Sequence, residues 1–92
     1  MSWFVYIIEC SDGSLYCGIT CDLGRRINEH NGLQPGGARY TRSRRPVRLV
    51  SNAIFENRSE ASRAEYKIKK TRKDKKVQTL KAFSGDDCEN AQ

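Results

Sequence analysis

Five side chains in this chain have types suited to chemistry: Tyr6, Tyr16, Arg26, His30 and Glu65. Arginine offers a permanent charge and a forked set of donors for an anion. Histidine exchanges protons near neutral pH without help. A phenol titrates near ~10 and needs a nearby cation or acceptor before it can act as a base at neutral pH. Glu65 is the most telling of the five. Ala61, Ala64 and Ile68 fall at helical spacing, and Glu65 lies inside that stripe. A carboxylate aimed at a core is costly unless it is paired or holds a metal. An acid placed there, in a chain carrying these tyrosines, arginine and histidine, is building a site.

Each residue also has a plainer reading. Tyr6 and Tyr16 could be strand aromatics with hydroxyls at the rim. Arg26 could be a surface charge, and His30 could complement a helix dipole. Glu65 could belong to a buried ion pair. Their joint spacing favours the site.

The elements that must position these groups are legible. Trp3–Cys10 is rich in β-branched and aromatic residues and runs into Ser11-Asp12-Gly13-Ser14, a turn signal. Leu15–Thr20 reads as a second strand. A two-residue Asp-Gly loop would send Tyr6 and Tyr16 to opposite faces. A three-residue loop, Ser11-Asp12-Gly13 with Gly13 left-handed, sets Cys10 opposite Ser14, Tyr6 opposite Gly18 and Tyr16 opposite Ile8. Cooperation between the tyrosines requires the longer loop.

Asp22 is an N-cap for a helix through His30, stopped by Asn31-Gly32. Leu23 and Ile27 supply its apolar contacts, and Arg26 and His30 share a neighbouring stripe. Gly32–Pro46 reads as a functional loop. Val47–Phe55 reads as a third strand, central because both faces carry apolar residues. Asn57 or Ser59 caps a helix containing Glu65 and ending near Thr71. A last helix directs Val77, Leu80 and Phe83 inward and ends at Ser84-Gly85. The expected fold is α/β of the α+β type: a small three-stranded, mainly antiparallel sheet flanked by helices in the order β-β-α-β-α-α. Residues 1–84 form one domain and residues 85–92 a polar, flexible tail.

Composition bounds the partners. The 92 residues carry a net charge of +6 and a pI of about 9.4, which suits a polyanion, nucleic acid before membrane. No apolar run approaches the ~20 residues of a membrane span, and no basic leader precedes Trp3. Cys10, Cys17, Cys21 and Cys88 form no CxxC pair. Cys17, Cys21 and His30 lack an evident fourth partner for zinc. Free thiols in a reducing cytoplasm are the expectation.

These residues resemble the GIY-YIG nuclease domain family. Tyr6 stands at the tyrosine of the first motif, and Tyr16-Cys17-Gly18 is similar to the second. Arg26 and His30 match the first helix, and Glu65-Tyr66-Lys67-Ile68-Lys69-Lys70 looks like the segment bearing the metal-binding glutamate. The resemblance covers roughly Trp3 to Lys70 and is nearest to the small stand-alone bacterial (YhbQ-like) group. Gly37–Arg42 also resembles a Gly-Ala-basic-Tyr-Thr-Arg segment of the eukaryotic resolvase nuclease subunits. Two positions depart from the pattern: Phe4 replaces a glycine, and Ile19 stands where some members place a lysine.

The resemblance implies a metal-dependent endonuclease that hydrolyses phosphodiesters in DNA or structured nucleic acid, in repair or recombination. The alternative is a catalytically weak or inactive nucleic-acid-binding module of the same fold. Either would be cytoplasmic. A dianionic transition state needs positive charge and a positioned water. Glu65 is the expected ligand for Mg²⁺ or Mn²⁺, and Arg26 the grip on a phosphate oxygen. Tyr6, Tyr16 and His30 remain alternatives for the base, a tyrosine assisted by His30 being preferred. Arg39, Tyr40, Arg42, Arg44, Arg45, Lys69 and Lys70 are the expected nucleic-acid contacts. A protein partner supplying specificity is also expected, because the domain stands alone in this sequence.

Overall fold

A computed structural model describes residues 2–33 and 35–84. Its strands are β1 (Trp3–Glu9), β2 (Leu15–Thr20) and β3 (Arg48–Phe55), and its helices are α1 (Leu23–His30), α2 (Arg39–Arg42), α3 (Arg58–Lys70) and α4 (Lys73–Ser84). The sheet is antiparallel with strand order β2-β1-β3. The expected fold and element order hold, with one short helical turn, α2, inserted in the segment read as a loop. The Phe83 side chain and the 85–92 tail lie outside what the structure describes.

The hairpin has the three-residue loop. Gly13 takes φ +83°, which a side chain would resist. Its amide donates to the Cys10 carbonyl at 2.9 Å, and the Cys10 amide donates to the Ser14 carbonyl at 2.8 Å. Tyr6 consequently faces Gly18 and Ile8 faces Tyr16, so both phenols share one side of the sheet.

The central strand is β1, which corrects the expectation for β3. Val5, Tyr6, Ile7 and Ile8 are all buried, so β1 is covered on both faces. In β3 Leu49 and Ile54 are exposed, and a register shift against Ile7/Ile8 disturbs the alternation. Ile7 pairs with Ser51 and Ile8 with Leu49, leaving Val50 as the extra residue of a bulge. Val50 packs on the side of Ala53, and Leu49 joins the opposite side, where β3 is left exposed.

Two apolar layers result. On one face Val5, Ile7 and Cys17 meet Ala61, Ala64 and Ile68 of α3 and Leu80 of α4, with Val77 packed alongside. The alanines let α3 approach closely, and burying Ile68 is worth ~1.5–3 kcal/mol. On the other face Tyr6, Ile8, Cys10 and Val47 meet Tyr16 and the α1 residues Leu23 and Ile27. Asp22 caps α1 by accepting from the Arg25 amide, and Asn57 caps α3 by accepting from the Glu60 amide. The Asn31 side chain bonds both backbone groups of Val47, at 2.7 and 3.1 Å, and ties the end of α1 to the start of β3. Cys10, Cys17 and Cys21 are free thiols. No helix among the described residues is long and apolar enough to cross a membrane.

Candidate active site

Tyr6 projects from the middle of β1 over Gly18, and only glycine fits there. A Cβ at position 18 would lie 2.5 Å from the Tyr6 hydroxyl oxygen. The phenol reaches the ring of His30, in the last turn of α1, at 2.8 Å from Nε2. His30 is fully buried, and its Nδ1 lies 2.8 Å from Thr41 Oγ1 in α2.

The proton positions follow from Thr41. Its hydroxyl donates its single hydrogen to the Ala38 carbonyl at 3.1 Å, so it can only accept from His30. Nδ1 therefore carries the proton, Nε2 is the acceptor, and the Tyr6 O–H donates to it. The Tyr6 oxygen in turn accepts from Arg26 Nε–H at 3.4 Å. One directional chain runs from Arg26 through Tyr6, His30 and Thr41 to the Ala38 carbonyl.

Burial sets the charge states of this chain. It pushes the Tyr6 phenol up to about 12 against the pull of Arg26. It pushes His30 down to about 4, helped by the Arg26 charge. At neutral pH both groups are uncharged and the shared proton rests on Tyr6.

Arg26 is held on two further sides. Its Nη1 donates to Glu29 Oε1 and to the Gly36 carbonyl, each at 2.7 Å. Glu29 also takes Arg25 Nε at 3.0 Å, and the Arg26 hydrogen bond holds its carboxyl below the usual range. Nη2 of Arg26 makes no hydrogen bond among the described residues, and its side chain is a quarter exposed. That nitrogen is left as a donor for an anion on a guanidinium held at its other two nitrogens.

Tyr16 packs edge-on against the His30 ring, with centroids 5.2 Å apart. Its own hydroxyl has no hydrogen-bond partner among the described residues, and it is less buried than Tyr6. Tyr40 of α2 stacks on Tyr16 at 5.6 Å and 27°. The Arg44 guanidinium lies 4.1 Å over Tyr40.

Glu65 stands apart from this cluster. It projects from α3 on the helix-covered face, where its charge and burial together push the Cys17 thiol up to about 12, burial counting most. Cys17 lies between Tyr16 and Gly18 in β2, so Glu65 is across that edge strand from the phenols. Its partner among the described residues is Lys69, at a loose 3.6 Å. No group of three or more His, Cys, Asp or Glu able to hold a metal occurs among the described residues. A single, partly exposed carboxylate with a weak partner fits a hard cation that keeps most of its waters and shares a substrate phosphate. It does not fit a closed nitrogen or sulfur site.

The expected nucleic-acid contacts divide. Arg39 and Arg42 are exposed on α2. Arg44 bonds Asp12 and the Tyr40 carbonyl, while Arg45 Nε donates to the His30 carbonyl and secures the end of α1. Lys69 faces Glu65, and Lys70 lies over the Tyr66 ring. A cleft of about 690 Å³ lined by Leu15, Val50, Val77, Arg48 and Arg72 contains none of the site residues. Thr41, Glu29 and Gly18 were not singled out from the sequence as site residues. Glu29 carried a signal, three and four residues from Arg26 and Arg25 on one helix.

This α+β fold, with tyrosines on paired strands and an arginine and histidine on the first helix, places the chain in the GIY-YIG catalytic domain family, whose model matches residues 2–78. Within it the chain is similar to the UPF0213 proteins of bacteria. One from Desulfotalea psychrophila is 54% identical over 81 residues, covering 88% of this chain and 73% of the relative. One from Staphylococcus aureus strain Mu3 is 49% identical over 80 residues, covering 87% and 95%. Among solved structures, a UPF0213 protein of Bacillus halodurans is 44% identical with a TM-score of 0.54, covering 94% of this chain and 89% of that one. A protein of E. faecalis is 39% identical with a TM-score of 0.64, covering 98% and 94%.

Proposed function

We propose that the chain is a metal-dependent endonuclease that hydrolyses phosphodiester bonds in DNA or structured nucleic acid, in a repair or recombination setting in the cytoplasm. The observation that carries this reading is the directional Arg26–Tyr6–His30–Thr41 chain beside the Tyr16 hydroxyl, which has no hydrogen-bond partner among the described residues. Arg26 Nη2 takes a non-bridging phosphate oxygen. Tyr16 binds the attacking water, because its hydroxyl has no partner among the described residues whereas Tyr6 is only 1% exposed and already bonded on two sides. As the water oxygen bonds to phosphorus, its proton passes to the Tyr16 oxygen and the phenol proton leaves to solvent. The bond from phosphorus to the leaving oxygen breaks, and that oxygen takes a proton from solvent. Tyr6, His30 and Thr41 hold the guanidinium in register.

Glu65 would hold Mg²⁺ or Mn²⁺, which supplies charge for the departing oxygen. Arg39, Tyr40, Arg42 and Arg44 would contact the nucleic acid on the Tyr16 side and Lys69 and Lys70 on the Glu65 side, and the +6 net charge favours phosphate over protein surfaces. Arg45 contributes through its charge while its Nε secures α1. A protein partner would supply the specificity so small a basic domain lacks.

One observation favours the alternative of a binding module without turnover: Glu65 touches none of the phenols and is paired with Lys69. Nicking of supercoiled plasmid by purified protein separates the two. The nuclease reading expects nicking with Mg²⁺ that EDTA abolishes and that Glu65→Ala and Tyr16→Phe lose. Salt-sensitive retention of DNA without nicking would leave the binding module.

A further inference from the structure

Asp12 belongs to neither the proposed chemistry nor the sheet, yet its carboxylate is held with unusual care. Oδ1 accepts from the Ser14 amide at 3.0 Å and from the Ser14 hydroxyl at 2.6 Å. That aims Oδ2 at Arg44 Nε, 3.0 Å away. The Ser11 amide also donates to the Arg44 carbonyl at 2.9 Å, so the hairpin turn and the end of α2 are joined twice. Arg44 meanwhile lies over the Tyr40 ring, which is itself stacked on Tyr16. Successive contacts run from His30 to Tyr16, Tyr40, Arg44 and Asp12.

We infer that Asp12 is an internal stand-in for a phosphate of the nucleic-acid ligand: the incoming phosphate displaces the Asp12 carboxylate from Arg44, and Arg44 swings off Tyr40. This deepens the nucleic-acid reading and rests on it. A phosphate oxygen replaces Asp12 Oδ2 on Arg44 Nε, and the Nη1 bond to the Tyr40 carbonyl, 2.8 Å long, opens as Arg44 moves and is remade on a second phosphate oxygen. Arg44 is 35% exposed and Asp12 48% exposed at the side chain, which leaves the pair open to solvent and easily replaced. Exchange puts the Arg44 charge on the ligand and bares a ring face of Tyr40 on which a base can stack. Asp12 thereby keeps the Tyr40–Tyr16 stack closed when no polyanion is present. A purely bracing pair would behave oppositely, since its loss would disorder α2 and weaken binding.

Asp12→Asn keeps the Oδ1 acceptor for Ser14 and removes the charge on Arg44. Fluorescence anisotropy with a fluorescein-labelled flapped duplex then compares wild type, Asp12→Asn, Arg44→Gln, the double variant and Glu56→Gln, which removes an equal charge elsewhere. Exchange requires Asp12→Asn to bind roughly two- to fivefold more tightly, more than Glu56→Gln, with the gain absent on the Arg44→Gln background. Weaker binding by Asp12→Asn, or a gain that Glu56→Gln matches or that survives Arg44→Gln, overturns it. Titrating inorganic phosphate while following the Arg44 Nε–H signal by NMR tests the exchange without nucleic acid. The signal should move at lower phosphate in Asp12→Asn than in wild type, and equal half-saturation refutes the exchange. If no variant binds the duplex while this phosphate response holds, the nucleic-acid reading fails and the exchange of anions on Arg44 stands.

Discussion

Gly18→Ala is the sharpest perturbation of the site that leaves every ionisable group in place. The added methyl carbon would sit 2.5 Å from the Tyr6 oxygen and 2.8 Å from its Cζ, where non-bonded carbon contacts settle at ~3.5–4.0 Å. The phenol must withdraw by ~1 Å, and it is not free to do so. His30 holds it at 2.8 Å, Arg26 reaches it at 3.4 Å, and the residue is 1% exposed. Overpacking of this kind costs ~1–3 kcal/mol. Disturbing a buried hydrogen bond adds ~1–3 kcal/mol, and the two overlap, so about 3 kcal/mol is expected. For a domain of this size that corresponds to roughly 10–25 °C in Tm. Thermal unfolding by circular dichroism measures it. The same substitution in a Tyr6→Leu background lacks the clashing atoms and should cost at least ~1 kcal/mol less. A Gly18→Ala protein melting within ~3 °C of the parent, or an equal penalty in both backgrounds, would show that the phenol is not locked over Gly18.

His30 makes stability depend on pH. Its folded value is lowered from 6.5 to about 4, so the unfolded chain binds the proton first as pH falls. Its contribution is intact above 6.5, is lost as pH falls from 6.5 to about 4, and changes no further below that. The loss is on the order of 3 kcal/mol, measurable by urea unfolding, and His30→Gln should flatten the profile in that window. Tyr16→Phe should leave stability within ~0.5 kcal/mol while lowering turnover by ~100-fold, separating chemistry from folding. Arg26→Lys keeps the charge but loses the fork shared among Glu29, Gly36 and Tyr6. Cleavage should fall by ~100-fold or more with only a few-fold change in DNA affinity.

Particular residues show what can be read ahead of the coordinates. The three-residue hairpin was legible because only that loop puts Tyr6 and Tyr16 on one face and because Gly13 can adopt a left-handed φ. The α1 limits were legible from Asp22 and from Asn31-Gly32, whose capping hydrogen bonds are made to nearby residues of the same helix. The central strand was not. A bulge at Val50 turned Leu49 to the side where β3 is exposed, and no count of apolar residues in β3 foresees a register shift. Four residues of α2 are too few for a helical period to show, so Thr41 went unnoticed although it fixes the tautomer of His30. Glu65 was visible as an acid in an apolar stripe. Its station across β2 from Tyr16 depends on which face α3 covers, which helical periodicity alone does not decide.

Single-turnover cleavage of a labelled oligonucleotide in Mg²⁺ by wild type, Tyr16→Phe, Glu65→Ala and the double variant tests most directly whether these two residues, on opposite sides of one strand, serve one reaction. Groups acting as a unit lose their effect together, so the double variant should be no slower than the slower single. Rates that multiply across the two changes, or Mg²⁺-dependent cleavage that survives both, would contradict a shared centre.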